Sequence, residues 1–385
     1  MKKLENRIII FFSILTILFN IFFITILPYQ EIGEFFLPFN TSIYYFSNFK
    51  SEKIYTTKGF FLNTTVYFEN GVLFAEKIKD KVYLNYLNFS SKKITKIDSF
   101  KCSILIFNIN YVVAFDYSSH TDNGYKATVY KLNILKDKNS TNFKTNQLFY
   151  FYTKEIFNDF LFIDNYLYFT SDSFDSKYLN LNLLDLKNKK IIKVFQKYKN
   201  KNFLKINLLI NGSQNFIILT SSTSILEKNE NFIYIIDHIK LLEKKDNIFN
   251  QNNIYNNLYN YKDYENLLNL LFNEKILLKI SIKLNENENL FSKPLFYNDY
   301  LYIQSINNKG ICKLYKINGE KFLINLKIIF DNEERLNNFS SFYNLVYYSN
   351  NLIYYISYNY FNDKNNFYFI IFDLNQMKEK LKFHL

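Results

Sequence analysis

The sequence predicts an all-β repeat domain of seven four-stranded units, with six or eight units as alternatives, preceded by one membrane-spanning helix. Three observations carry this expectation. Residues Ile8 to Leu27 form an apolar run without a single charge. Beyond it, short alternating apolar stretches recur between turns rich in Asn and Asp, the period-two signature of strands. A marker, an apolar residue followed by Asn or Asp at the end of a strand, returns at a nearly regular spacing.

The apolar run, IIIFFSILTILFNIFFITIL, holds twenty residues. At about 1.5 Å rise per residue it spans about 30 Å, the thickness of the hydrocarbon layer. Asn20 is its one costly residue and Pro28 ends it. Lys2, Lys3 and Arg7 precede the run with only Glu5 against them, so the positive-inside rule keeps residues 1–7 cytoplasmic and sends residues 28–385 across the membrane. A cleaved leader would have a shorter apolar region ending at small residues. No Ala occurs before Ala75, and the expected reading is an uncleaved signal anchor over 8–27. That places a single-pass protein in the cell membrane with its bulk extracytoplasmic, in a periplasm-like space in a bacterium.

The repeat reads most clearly from Phe160 to Phe195, as FLFID, NYLYFTS, KYLNLNLLDL and KKIIKVF. With 7 Gly and 3 Pro in 385 residues, Asn and Asp are expected to make the tight turns, because they tolerate left-handed backbone and bond their own main chain. The markers fall at Asn48, Asn88, Asn133, Asp185, Asp237, Asn318 and Asp373, with spacings of 40, 45, 52, 52, 81 and 55. All but one approximate the 40–50 residues of a four-stranded propeller blade. On these markers the chain resembles extracytoplasmic β-propellers, including the outer-membrane assembly propellers and TolB-like proteins, over residues 35–385. It carries no Trp, so the Trp-Asp, sialidase and quinoprotein blade signatures are missing. The resemblance implies architecture and not activity.

The 81-residue interval is the irregular one. Apolar residues at Ile254, Leu258, Tyr261, Leu268 and Leu271 have helical spacing and predict an inserted amphipathic helix near 250–274, with its body at Asn256–Asn273. A strand pair in ILLKISIKL, ending near Asn285, would supply an eighth marker. After each marker a final strand is expected, including after Asp237. Few residues precede Asn48, so the strands there are expected to complete a blade with the C-terminal strands around Phe367–Phe372, closing the ring.

Composition limits the partners. The net charge of +12 is spread over scattered lysines, never more than two adjacent, and forms no dense basic stripe, so nucleic acid is not an expected partner. The 34 Tyr and 43 Phe supply ample core. Cys102 and Cys312 stand in no metal-ligand spacing, and two buried thiols are expected rather than a bond between them.

The chemistry-bearing residues are few. His384 is next to the end, and His238 follows the Asp237 marker as a turn residue. His120, in the segment Asp116–Gly124, reads as part of a long polar loop. Asp172 and Asp175 could offer carboxylates to calcium but lack the density of a dedicated site. No nucleophile elbow, zinc-protease or dinucleotide motif occurs. The sequence therefore assigns no catalytic, cofactor-binding or metal residue. It suggests an interaction or scaffold protein of the cell envelope with an envelope protein partner. The alternative is an enzyme or carbohydrate-binding module working in the central funnel.

Overall fold

The computed structural model describes residues 35–385 other than 48–49, 69, 123, 138–139, 174–177, 199–206, 213–214, 223–230, 251–268, 281–283, 285–287, 298–299, 308–311, 319–326, 329–340, 350–351, 359–366 and 374–377. The expected anchor over 8–27 lies outside the described residues, and among those described no helix is long and apolar enough to cross a membrane.

Among the described residues, seven antiparallel sheets follow one another in chain order. Sheet I holds β1 (Phe35–Phe39), β2 (Ser42–Ser47) and β3 (Lys50–Thr56); sheet II holds β4 (Phe60–Phe68), β5 (Gly71–Ile78), β6 (Lys81–Asn88) and β7 (Ile94–Phe100). Sheet III is β8 (Ile104–Phe107), β9 (Tyr111–Thr121), β10 (Gly124–Asp137) and β11 (Ser140–Thr153); sheet IV is β12 (Glu155–Ile163), β13 (Tyr166–Ser173), β14 (Tyr178–Asp185) and β15 (Lys190–Tyr198). Sheet V is β16 (Asn207–Gly212), β17 (Phe216–Ser222), β18 (Ile233–Asp237) and β19 (Leu277–Ile280). Sheet VI is β20 (Glu288–Tyr297), β21 (Tyr300–Asn307), β22 (Cys312–Asn318) and β23 (Lys327–Ile328); sheet VII is β24 (Ser341–Ser349), β25 (Leu352–Tyr358), β26 (Phe367–Asp373) and β27 (Lys378–His384).

Each sheet packs its faces on its neighbours. Phe36, Ile43, Phe74 and Leu87 join sheets I and II; Leu84, Phe100, Leu105 and Leu132 join II and III. Val113, Phe115, Phe169 and Leu184 join III and IV, and Leu181, Val194, Ile210 and Leu219 join IV and V. Ile218, Ile235, Leu290 and Ile303 join V and VI, and β20 touches β24 in sheet VII. Burial on both faces explains why β5 opens as a continuous apolar run, GVLFA, and why Asn180 and Asn182, at alternate positions of β14, are buried although polar. The outer β3, facing solvent, is mostly exposed.

The ring closes without strand exchange. Sheet VII has four strands of its own, and β1–β3 form a separate three-stranded sheet, so the expected shared blade is not formed. The physical reason is that β27 already occupies the outer edge of sheet VII. Closure is instead an apolar seam: Phe369 stacks on Phe46 at 4.4 Å and on Phe35 at 5.3 Å between ring centroids, with Leu37, Phe39, Leu352 and Ile371 around them.

Three of the markers hold a turn or cap by one recurring bond, whereas Asn133, expected to end a strand, lies inside β10 paired with Lys144 of β11 because the hairpin there extends to Asp137. Asn88 Oδ1 accepts the backbone N–H of Ser91 at 2.9 Å, and Asp185 Oδ1 accepts that of Asn188 at 2.9 Å. Asp237 Oδ1 accepts the N–H of Lys240 at 3.0 Å, but there the bond caps a helix, α1 (His238–Asn250). The expected strand after Asp237 is therefore corrected to a helix. Its Leu241 and Leu242 pack into the core between sheets IV and V, a burial that helical spacing allows and a hairpin turn would not. The expected helix at Asn256–Asn273 lies mostly outside the described residues; of it, residues 269–273 are helical. Beyond them β19 returns to β18 as the fourth strand of sheet V. The 81-residue interval is thus an insertion within one sheet, and the segment expected to hide an eighth marker supplies that sheet's last strand.

Left-handed backbone is used at Asn40 and Asp164 as expected, but also at Lys79, Lys92, Lys189 and Lys275. Lysine bears the conformational cost usually left to glycine. Gly124 is the glycine with positive φ among the described residues, and a Cβ there would meet the Thr153 carbonyl oxygen at 2.4 Å.

Candidate functional site

The densest polar network among the described residues runs along β12, the first strand of sheet IV, whose sequence EIFNDFLFI interrupts an apolar run with Glu155, Asn158 and Asp159. A register shift between Phe157 and Asp159 leaves Asn158 as an extra residue, and such a bulge re-aims side chains. Asn158 donates to Asp172 Oδ1 at 2.8 Å. Asp159 reaches across two further sheets: its Oδ2 accepts the N–H of Ile210 in β16 at 2.9 Å, and its Oδ1 accepts Lys293 Nζ from β20 at 3.0 Å. Lys293 lies where β20 is itself irregular, between Phe291 and Leu295. Its ammonium also donates to the Phe160 carbonyl at 3.3 Å and sits 5.5 Å from the Phe160 ring centroid. Asn211 of β16 donates to the Pro294 carbonyl. One carboxylate and one ammonium thereby tie sheets IV, V and VI.

At the start of β12, Glu155 accepts from Ser171 and from Asn182 at 2.6 Å and pairs with Lys193 at 2.7 Å. Asn182 stands three residues before the Asp185 marker. Asn85 stands three before the Asn88 marker, and it too donates to a carboxylate, Glu76 Oε2 at 3.4 Å. Thr57 also donates to Glu76. Two repeats therefore carry the same device, an asparagine on the third strand serving an acid that is buried at Glu76 and partly buried at Glu155. Beside it, Asn180 has both amide atoms buried with no hydrogen bond.

Burial pushes the Glu76 carboxyl above its ordinary 4.5, against the opposing hydrogen bonds of Asn85 and Tyr55. The folded protein then holds that proton more tightly than the unfolded chain does. The resulting stabilisation is complete below the ordinary value and is lost as pH rises through the raised one. The Glu76 contribution is expected to fall across that window, so Glu76→Gln should make the change of stability with pH less negative than in the wild type. Urea unfolding at about pH 4 and about pH 7 measures both slopes, and an unchanged slope in the variant rejects the assignment.

The histidines do not converge on this network. His238 is no turn residue: it opens α1, is 4% exposed, and its Nδ1 lies 2.8 Å from the Tyr168 hydroxyl, with the Tyr166 and Tyr168 rings edge-on to it. Burial lowers its pKa, Asp164 and Asp237 opposing. The expected polar loop at Asp116–Gly124 is a hairpin of β9 and β10, in which His120 pairs with Tyr125. The Asp116 carboxylate, although burial raises its pKa, is held below the usual range by Ser118, Ser119 and Lys101. His384 lies in β27, and Asp175 lies outside the described residues. Among the described residues no group of three or more His, Cys, Asp or Glu could hold a metal ion. Cys102 is a buried free thiol, its pKa pushed by burial to about 12. A cleft of roughly 460 Å³ between sheets I and II is lined by Asn40, Thr41, Phe60, Phe61 and Leu62, without an acid, base or thiol.

No family model and no curated protein matches the chain. Solved structures do. A prolyl endopeptidase aligns over 92% of this chain and 48% of its own, at 9% identity and a TM-score of 0.52. A protein from Lactobacillus plantarum aligns over 91% and 96%, at 8% identity and 0.50. An acylaminoacyl peptidase aligns over 89% and 47%, at 10% identity and 0.50. The fold is that of a β-propeller. At these identities the likeness is one of fold alone, and the chain spans about half the length of the two peptidases. The β12 network then sits on an innermost strand of the propeller, since the first strands β12, β16, β20 and β24 touch in succession. Sequence reasoning missed Asp159 and Lys293, which lie 134 residues apart; the one local signal was the polar Asn158-Asp159 pair inside an apolar strand.

Proposed function

We propose that the protein is a seven-bladed propeller, each sheet a blade, held outside the cytoplasm by a helix at Ile8–Leu27 and serving as an interaction or scaffold protein of the cell envelope. The observation that carries this reading is that two acids of the innermost strand β12 are spent on structure: Asp159 and Glu155 each pair with a lysine and accept further donors. A group committed in this way is a poor general base, because proton transfer would cost the fold its bond. The charge-free run at 8–27 behind Lys2, Lys3 and Arg7 supports the anchor and its direction.

The test is topology together with capture. Protease added outside spheroplasts should degrade residues beyond Pro28 while sparing a tag at the N-terminus, and crosslinking should recover a reproducible envelope protein. Protection of the domain from outside protease overturns the orientation. A second reading, ligand-binding or enzymatic use of the central funnel, is favoured by the likeness to the two peptidases. Hydrolysis of a peptide or sugar substrate abolished by Asp159→Asn would replace the first reading with this one.

A further inference from the structure

The outer edge of sheet III is unlike the others. β10 and β11 are 14 residues each, whereas the outer strands β3, β7 and β27 have 7 and β15 has 9. β11 ends the sheet, in the order β11-β10-β9-β8, so one rail of its main-chain donors and acceptors is unused by the sheet. Near Thr145 it is held to sheet II by a bond to Asp98. Beyond that point it carries Leu148, Tyr150 and Tyr152, which are 39%, 54% and 40% exposed. Natural edges are blunted by shortness, proline or charge pointing outward. This stretch has none of the three. It has one bulge, where Leu148 is the extra residue opposite Val129 and Tyr130, and past it Phe149–Thr153 runs in regular register for about 17 Å.

The charge around this edge is one-sided. From Gly124 to Lys154 the sequence carries Lys126, Lys131, Lys136, Lys138, Lys144 and Lys154 against Asp137 alone. Lys126 lies over the Tyr150 ring at 4.7 Å and opposite Asp116 in β9, so its charge is partly answered; Lys144 and Lys154 are exposed. Pairing of β11 with a second copy of itself would bring these lysines together, which like-charge repulsion opposes.

We infer that β11 is a docking edge for an acidic extended segment of a protein partner, which adds to sheet III as a fifth strand. The main chain of Phe149–Thr153 would supply the ladder, Tyr150 and Tyr152 the side-chain contacts, and Lys144 and Lys154 the choice of sign. This rests on the interaction reading above and names its surface.

The probe is a fluorescein-labelled peptide alternating Glu and Thr, with its Lys and Thr counterpart as control, titrated by anisotropy against the full chain in detergent. The acidic peptide should bind and the basic one should not. Tyr150→Thr with Tyr152→Thr, which keeps strand preference, should weaken binding at least about tenfold. Lys144→Glu with Lys154→Glu, two exposed changes that leave the core intact, should do the same and reverse the preference between peptides. Equal binding by wild type and both double variants overturns the inference. So does failure of the acidic peptide to bind, or loss of a sedimenting dimer in the tyrosine variant with no peptide effect. Capture of phosphatidylglycerol vesicles that the peptide cannot displace would instead make the edge a lipid contact and also overturns it. If the crosslinked envelope partner is retained by both variants, the interaction reading stands and this edge is not its site.

Discussion

Replacing Phe369 by alanine should destabilise the protein by about 3–5 kcal/mol, the range for removing a large buried aromatic side chain. Phe369 is fully buried and stacks on Phe35 and Phe46 of the first sheet and on Phe383 of its own. The cost has two parts, the lost transfer of an apolar ring and the cavity left between faces that cannot collapse without moving whole sheets. Among the described strands none spans sheets I and VII, so the loss falls on the seam itself. Hydrogen exchange should quicken first in β1, β2, β26 and β27. Phe115→Ala, at the seam of sheets III and IV, should cost about as much globally while leaving those four strands protected. A loss under about 1 kcal/mol for Phe369→Ala, or exchange that rises evenly over the domain, would show that the ring is held elsewhere.

The second large effect is expected at Asp159. Its removal leaves the Ile210 N–H without its acceptor and the Lys293 ammonium with the Phe160 carbonyl and solvent, and an unsatisfied buried donor alone costs about 1–3 kcal/mol. Asp159→Ala should therefore lose about 3 kcal/mol in denaturant unfolding. Asp159→Asn retains an oxygen for Ile210 and should lose roughly half of that. Lys293 is 31% exposed, so solvent screens the ion pair. A double-mutant cycle with Lys293→Met should give a coupling near 1 kcal/mol, with most of the Asp159→Ala loss surviving in the Lys293→Met background. A coupling that accounts for the whole loss would place the energy in the ion pair and not in the main-chain bond.

Much of this fold was legible because its repeat rests on a local bond. Asn88, Asp185 and Asp237 each hold the N–H three residues on, and a bond of that span leaves its mark in a single stretch of sequence. The same locality explains the errors. A carboxylate that captures the third N–H starts a hairpin turn as readily as a helix. What decided for a helix after Asp237 was burial of Leu241 against sheets IV and V, which neighbouring residues do not reveal. His238, expected at a turn, opens that helix for the same reason. The polar segment at Asp116–Gly124 read as a loop, although an exposed hairpin accepts polar residues on its open face. The β12 network was invisible in sequence because its partners come from strands far along the chain, and two register irregularities aim the side chains together.

Closure by side chains has a consequence for how the chain reaches its native state. Each sheet except V draws its strands from neighbouring residues and can form as it emerges, at small loop-closure cost. Sheet I is different: Phe35, Leu37 and Phe46 find their partners Phe369, Ile371 and Phe383 more than 300 residues later. Throughout synthesis, one face of the first sheet is a greasy surface waiting for the last to arrive. The interval of greatest aggregation risk thus spans nearly the whole of synthesis, and it ends only when the strands of sheet VII are in place.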